Sequence, residues 1–237
     1  MRALLMSLVL LVAAGVPAGA IAAGSVPARS EIRYQVYLGT LKIGEGHDVF
    51  QHDGRSYSVV SESRTAGLAG VLYRLNIRRE AQGRVTHTGL RPDRFSETRN
   101  GNPERSATFD WTKKEATLID NGASQTVALP DDTWDTASFS YNFAFAPSES
   151  IDLDAHLTDG RHIHKYRYAI LGRETIDTAL GPMETLHVKK VQEPGDQRAF
   201  EVWLAVGQHN LPVRTRYSGR DGRAFDSVVT QITFPVQ

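Results

Sequence analysis

The chain has 237 residues, in which 27 lysine and arginine residues balance 27 aspartate and glutamate residues, and it has no cysteine. The lack of cysteine excludes disulfides, thiolate metal sites, thiol enzymes and a lipid-modified N-terminal cysteine. Charges of both signs are interspersed along the chain, a pattern without the footprint of a nucleic-acid-binding protein, so no nucleic-acid partner is expected.

Residues 1–23 are predicted to be a signal peptide. Arg2 supplies a short positive region, and the apolar run Ala3–Val16 has the length of a signal core. Small residues then place cleavage between Ala20 and Ala23. An uncleaved anchor is the alternative, but the run is short for a membrane span of about 20 residues. We therefore expect an exported protein in the periplasm, with no transmembrane anchor after cleavage.

After a flexible lead-in at residues 24–30, apolar and polar residues alternate with a period of two, which predicts about a dozen strands. Asn100-Gly101 and Asn121-Gly122 are the strongest hairpin dipeptides. The segment Phe200–Tyr217 is typical of the pattern, with one apolar face on each side of a short turn. Gly207 and Asn210 are expected to supply the positive φ angles of that turn.

Two segments interrupt the alternation. Ala66–Leu75 is small and apolar, and it predicts either a short helix or a lid loop with Leu68, Val71, Leu72 and Tyr73 facing inward. Asp131–Phe145 is the best helix candidate, because acidic residues lie at its start and Pro147 follows it. Its aromatic residues also alternate as in a strand, and we favour a helix at Asp135–Asn142.

These elements predict an all-β, mainly antiparallel fold, as a curved meander sheet or half-open barrel with one or two short helices. Residues 31–237 are expected to form a single β-rich domain, since no linker rich in Pro, Ser or Gly divides it. Two halves, 31–130 and 148–237, would be joined by the helix near 131–146.

Five stretches in a fixed order resemble one bacterial family: Tyr34–Glu45, Ala66–Arg74, Gly89–Phe95, Asp135–Tyr141 and Val202–Arg214. The family is described as domain of unknown function 3108. The resemblance implies an exported, predominantly β protein of Gram-negative bacteria, and it brings no catalytic residues. It also implies an architecture similar to the half-barrels that carry lipoproteins across the periplasm, which is an analogy of fold and not of function.

Candidate chemistry is sparse. His162 and His164 lie on one face of a predicted strand, and His156 across a turn would complete a three-histidine zinc site. Neighbouring cations disfavour a dication, so we expect solvated residues, no metal and no cofactor. Asp152 and Asp154 are same-face carboxylates, which fit an exposed edge better than a hydrolase cleft.

The aromatic residues are more informative, since they are too many to be all exposed. They either fill the core or partly line an apolar cavity inside an incompletely closed barrel. In the second interpretation the ligand-binding residues are Tyr34, Leu68, Leu72, Tyr73, Trp134, Tyr141 and Trp203.

Function follows only in outline. The leading hypothesis is a non-enzymatic periplasmic protein whose apolar groove binds a lipid-like small molecule or a hydrophobic segment of an envelope protein. The alternatives are a scaffolding envelope protein with a filled core, acting through protein contacts, and a metal enzyme that uses the three histidines.

Overall fold

The computed structural model describes residues 26–146, 152–219 and 221–235, without the side chains of Leu68 and Leu72. The predicted signal peptide and the start of the lead-in lie outside the described residues. Among the helices of the described ranges, none has the length and apolar character needed to cross a membrane.

The described residues form fifteen strands, two short α-helices and one 3-10 turn. In the first half the strands are β1 (Arg29–Leu38), β2 (Leu41–His52), β3 (Ser56–Thr65), β4 (Asn76–Thr86), β5 (Gly89–Arg99), β6 (Asn102–Asp110), β7 (Glu115–Asp120) and β8 (Ala123–Ala128). In the second half they are β9 (Thr133–Asp135), β10 (Asp152–Thr158), β11 (Ile163–Thr178), β12 (Gly181–Lys190), β13 (Ala199–Ala205), β14 (Leu211–Ser218) and β15 (Ala224–Thr233). The helices are α1 (Gly67–Leu72) and α2 (Phe139–Phe145), and the 3-10 turn is Val206–Gln208.

All fifteen strands belong to one sheet, in the order β8-β7-β6-β5-β4-β3-β2-β1-β15-β14-β13-β12-β11-β10-β9. The first and last strands, β1 and β15, therefore pair at the middle of the sheet. Neighbours are antiparallel except at one end, where β9 runs parallel to β10. The predicted all-β, mainly antiparallel class with short helices is confirmed.

The sheet curves until its two ends approach each other. The turn between β10 and β11 reaches β6 and β7, where Asp159 accepts from Arg105 at 2.8 Å and Arg161 donates to Asp120 at 2.7 Å. From β8, the Gln125 side chain donates to the carbonyl oxygen of Arg161 at 2.8 Å. The sheet is thus a half-open barrel whose seam is held largely by side chains.

Helix α2 begins later than expected. Thr133–Asp135 is a strand, and the helix starts at Phe139, so the predicted helix at Asp135–Asn142 is wrong in its first residues. The Asp135 carboxylate accepts from the backbone N–H groups of Ala137 and Ser138, each at 2.8 Å. These bonds fix a turn between strand and helix, which explains why acidic residues precede the helix.

The hairpin between β13 and β14 also differs from expectation in one detail. The left-handed residues are His209 and Asn210, both with φ of 55°, and not Gly207. Gly207 lies inside the 3-10 turn, where ordinary negative φ is required. The prediction for Asn210 is confirmed.

The segment around α1 packs at the ends of β2 and β3. The backbone N–H of Ala66 donates to the carbonyl of Ile43, and the Thr65 hydroxyl donates to the carbonyl of Tyr73. These bonds hold α1 against the ends of β2 and β3. The segment thus contains the short helix of the two alternatives, and Val71 is 84% exposed and Tyr73 65%, unlike the alternative lid loop in which both face inward.

Candidate ligand-binding groove

The concave face of the sheet is filled at one end by α2. The ring of Tyr141 stacks on that of Phe50 with centroids 5.0 Å apart and planes 6° apart. On the other side of the helix, Phe139 packs against Tyr168 at 4.8 Å. The Asn142 side chain accepts from a β5 backbone N–H at 2.8 Å. Aromatic residues therefore fill this end, as one of the two sequence interpretations expects.

Two of the residues predicted to bind a ligand lie in this filled end. Tyr34 is buried, and its hydroxyl donates to the carbonyl of Pro212 at 2.9 Å. Tyr141 is also buried, and its hydroxyl donates to Asp48 at 2.9 Å. A third, Trp134, is partly buried against the neighbouring apolar cluster around Phe139, and it donates to the carbonyl of Leu90 at 2.8 Å.

The others lie elsewhere. Trp203 faces away from its neighbour Val202, which packs beneath α2, because adjacent residues of a strand point to opposite faces. It is sandwiched between His187, at 4.3 Å, and the guanidinium of Arg214, at 4.7 Å. Tyr73 is exposed near α1, and the side chains of Leu68 and Leu72 lie outside the described ones. Among the five predicted residues whose side chains are described, Trp203 and Tyr73 thus lie apart from the other three.

Beyond α2, a row of apolar side chains crosses four neighbouring strands on the concave face. Leu38 pairs with Phe225, Phe225 with Tyr217, and Tyr217 with Phe200. Each lies an even number of residues from a buried core position on its own strand, such as Tyr34 or Val213, and so points to the same side. Tyr217 is 46% exposed and the other three are half-buried. We call these four residues the open row.

The aromatic surface continues onto β11. The rings of Phe200 and Tyr168 lie 6.4 Å apart, and those of Tyr168 and Tyr166 lie 6.5 Å apart. The ammonium of Lys190 lies 4.4 Å from the centre of the Tyr166 ring and contacts the Asp196 carboxylate at 2.5 Å. That contact holds the pKa of Asp196 well below its usual range.

The concave face is polar across β3, β4 and β5. Ser61, Arg79 and Glu97 pair across β3, β4 and β5, and each lies two residues beyond a buried apolar residue of the concave face. The Glu97 carboxylate is only 1% exposed and accepts from Arg79 at 2.6 Å. A groove with one apolar and one polar wall matches a molecule that has an apolar chain and a polar end.

The three histidines line a shallow cleft of about 510 Å³ beside β8. The rings of His162 and His164 lie 5.5 Å apart, and His156 is hydrogen-bonded to Asp132 at 2.8 Å. Burial lowers the pKa of His164, with the nearby His162 adding to the effect. Within the described residues, no three His, Cys, Asp or Glu side chains are grouped to hold a metal ion.

Comparison with known proteins gives the family. The sequence model of the family described as "Protein of unknown function (DUF3108)" matches residues 33–227. This chain belongs to the DUF3108 family. No curated protein sequence matches the DUF3108 chain.

Solved structures show what the DUF3108 chain is similar to in fold. A crystal structure described as a "Beta-barrel-like Protein of Domain of Unknown Function DUF1849 from Brucella abortus" has a TM-score of 0.58 and 7% identity, covering 90% of this chain and 100% of that one. A DUF1329 family protein from Desulfovibrio piger has a TM-score of 0.29 and 12% identity, covering 89% and 87%, and is too remote to inform the fold. The first likeness supports the β-barrel-like architecture, and neither description names a ligand or an activity.

Sequence reasoning missed the open row, although its signal is present in the DUF3108 chain. Phe200 and Tyr217 continue the alternation of the core residues on β13 and β14, as Leu38 does on β1. Alternation identifies the concave face of each strand but not how far along it the covering helix reaches. Only the position of α2 separates the buried part of this face from the open part.

Proposed function

We propose that the protein is a non-enzymatic carrier or receptor in the periplasm, and that its concave groove binds the apolar chain of a lipid-like molecule. The observation on which the proposal rests is the open row. Four apolar side chains from β1, β15, β14 and β13 lie next to one another on the inner face, yet α2 leaves them incompletely covered. An apolar surface of this kind on the inside of a barrel is stabilised when a ligand removes it from water.

Ligand binding explains the contrast between the two walls of the groove. The chain of an amphiphile would lie along Phe200, Tyr217 and Phe225, and its polar end would face the wall that contains Ser61 and Arg79. Export, predicted from residues 1–23, would place such a protein between the two membranes of the cell envelope, where lipids must cross water.

A fluorescent fatty-acid analogue tests the proposal. We expect saturable binding at one molecule per chain, and Tyr217→Ser should weaken it by about tenfold, since a large apolar contact is lost. The matched control is Tyr37→Ser, because Tyr37 is half-buried on the convex face of β1. It should leave the affinity unchanged.

Two results would overturn the proposal. One is the absence of saturable binding to protein that shows the β-sheet circular dichroism of the folded chain. The other is an equal loss of affinity in the two tyrosine variants, which would place the probe outside the groove. If the probe binds in the groove, mass spectrometry of small molecules that co-purify from the native periplasm would identify the natural ligand class.

A further inference from the structure

An exposed apolar surface lies where the turn between β1 and β2 meets α1. Leu41 is 65% exposed, Val71 84% and Tyr73 65%. The hydrogen bond from the Ala66 N–H to the Ile43 carbonyl, 2.9 Å long, holds the segment with Val71 and Tyr73 against the start of β2. We call Leu41, Val71 and Tyr73 the apolar rim. Large apolar side chains grouped in this way at a surface mark an interaction site.

The apolar rim is continuous with the groove. Leu41 is the direct cross-strand partner of Leu38, the first residue of the open row. The apolar path therefore runs from the exposed turn into the concave face without an intervening charged position.

Basic residues surround the rim. Residues 38–45 and 64–74 contain Lys42, Arg64 and Arg74 but only one acidic residue, Glu45. All three basic side chains are exposed, and that of Arg64 is 71% exposed. Glu45 contacts two of them, Lys42 at 3.5 Å and Arg64 at 3.1 Å, so the surface keeps a positive excess.

We infer that the apolar rim docks onto the surface of an anionic phospholipid bilayer. Exposed Leu and Val side chains enter the boundary between headgroups and acyl chains, and a tyrosine lies at the headgroup level. The basic residues lie beside them, where they attract anionic headgroups. A protein surface as partner would need no such positive excess, whereas an anionic bilayer requires both features together.

Docking in this orientation points the open row towards the bilayer. The inference adds a membrane partner to the proposed function, and it concerns a different set of residues. The two can therefore fail separately.

Flotation with phosphatidylcholine vesicles, with and without phosphatidylglycerol, tests the inference. We expect the protein to bind the vesicles with phosphatidylglycerol, and to release them at about 1 M salt, where the screening length falls to about 3 Å. Val71→Asp should weaken binding by at least about tenfold, because it removes an inserted apolar group and adds repulsion. Arg74→Ser should weaken it by about fivefold.

Matched controls lie away from the rim. Leu180 is 48% exposed in the turn between β11 and β12, and Leu180→Asp should bind vesicles as the wild type does. Lys113 is 71% exposed in the turn after β6, and Lys113→Ser should likewise have no effect. Unfolding curves of all four variants verify that each retains the fold.

Three outcomes would overturn the inference. They are equal binding to both kinds of vesicle, equal effects of Val71→Asp and Leu180→Asp, and a wild-type dimer in solution that Val71→Asp dissociates. The last would make the rim a contact between two copies of the chain. Fatty-acid binding measured on Val71→Asp separates the two proposals, since a groove that still binds the probe leaves the proposed function intact.

Discussion

The hydroxyl of Tyr141 lies 2.9 Å from a carboxylate oxygen of Asp48, and this hydrogen bond ties α2 to β2. Burial raises the pKa of Asp48, while hydrogen bonds from Ser61 and Tyr141 partly oppose the shift. Because the Tyr141 ring also stacks on Phe50, one side chain joins the filled core to the polar wall of the groove.

Tyr141→Phe should therefore destabilise the protein although it keeps the ring. Removing the hydroxyl takes a donor from a carboxylate in a buried site, at a cost of about 1–3 kcal/mol. The free energy of unfolding in urea measures the loss. Tyr37→Phe is the control, since Tyr37 donates to Gln35 from the half-buried convex face and should cost at most about 0.5 kcal/mol. Equal losses in the two variants would contradict the role given to the Asp48 contact.

Asp135 makes stability depend on pH. Burial raises its pKa to about 6, whereas an unfolded chain has a value of about 3.9. Between these values the folded chain holds a proton that the unfolded chain has released, so the free energy of unfolding falls as pH rises. The bound proton stabilises the folded chain by about 3 kcal/mol below about pH 4, and this stabilisation is lost by about pH 6.

Asp135→Asn should abolish this decline while its side-chain oxygen still accepts from the N–H groups of Ala137 and Ser138. Urea unfolding at a series of pH values compares the two proteins. Asp53→Asn is the control with the opposite sign. Hydrogen bonds from the Ser56 and Arg55 backbone lower the pKa of Asp53 to about 2, so its contribution is lost as pH falls below 4. The idea fails if the Asp135→Asn curve keeps the wild-type slope between pH 4 and 6.

Much of the sheet could be predicted from the sequence because its turns are local. Asn100 and Asn121 take left-handed conformations, each followed by a glycine with positive φ, as the Asn-Gly dipeptides indicate. The alternation likewise marks the core positions of most strands. Long-range pairing could not be predicted in this way, because nothing near β1 in sequence specifies that β15 lies beside it.

The groove was harder to predict for the same reason. Leu38 and Phe225 are neighbours in space but lie near opposite ends of the chain. Trp203 was expected to bind a ligand because it is a large aromatic residue within a strand. The Trp203 ring instead stacks on the His187 ring, and its indole N–H donates to the Glu174 carboxylate at 2.6 Å. Composition cannot tell an aromatic residue that is covered by its own chain from one left for a ligand.

The seam of the barrel should depend on Arg105. Its side chain is 13% exposed and contacts Asp159 at 2.8 Å and Asp120 at 3.3 Å. Arg105→Gln removes the cation that Asp159 and Asp120 share, while Asp120 keeps Arg161, so the change should cost about 2 kcal/mol, as for a hydrogen bond to a charged group. Hydrogen exchange should become faster in 152–161 as the hairpin separates from β6.

The exposed pair of Arg84 and Asp93 is the control. The Arg84 side chain is 53% exposed, and its guanidinium lies 2.9 Å from the Asp93 carboxylate. Arg84→Gln should lower the free energy of unfolding by less than about 1 kcal/mol. Unchanged exchange in 152–161 of the Arg105→Gln protein would show that the seam is held by other contacts.

Gly83 and Gly207 should respond in opposite ways to replacement by alanine. At Gly83, opposite a bulge in β5, an added Cβ would collide with the Arg91 carbonyl oxygen and lie 2.8 Å from the Tyr57 ring. Gly83→Ala should therefore destabilise the protein by about 2–3 kcal/mol. Gly207 has open space around its Cβ position and no positive φ, so Gly207→Ala should stabilise by about 0.4–1 kcal/mol through the unfolded chain. Midpoints of urea unfolding measure both changes, and a destabilised Gly207→Ala protein would mean that the turn before His209 needs the glycine after all.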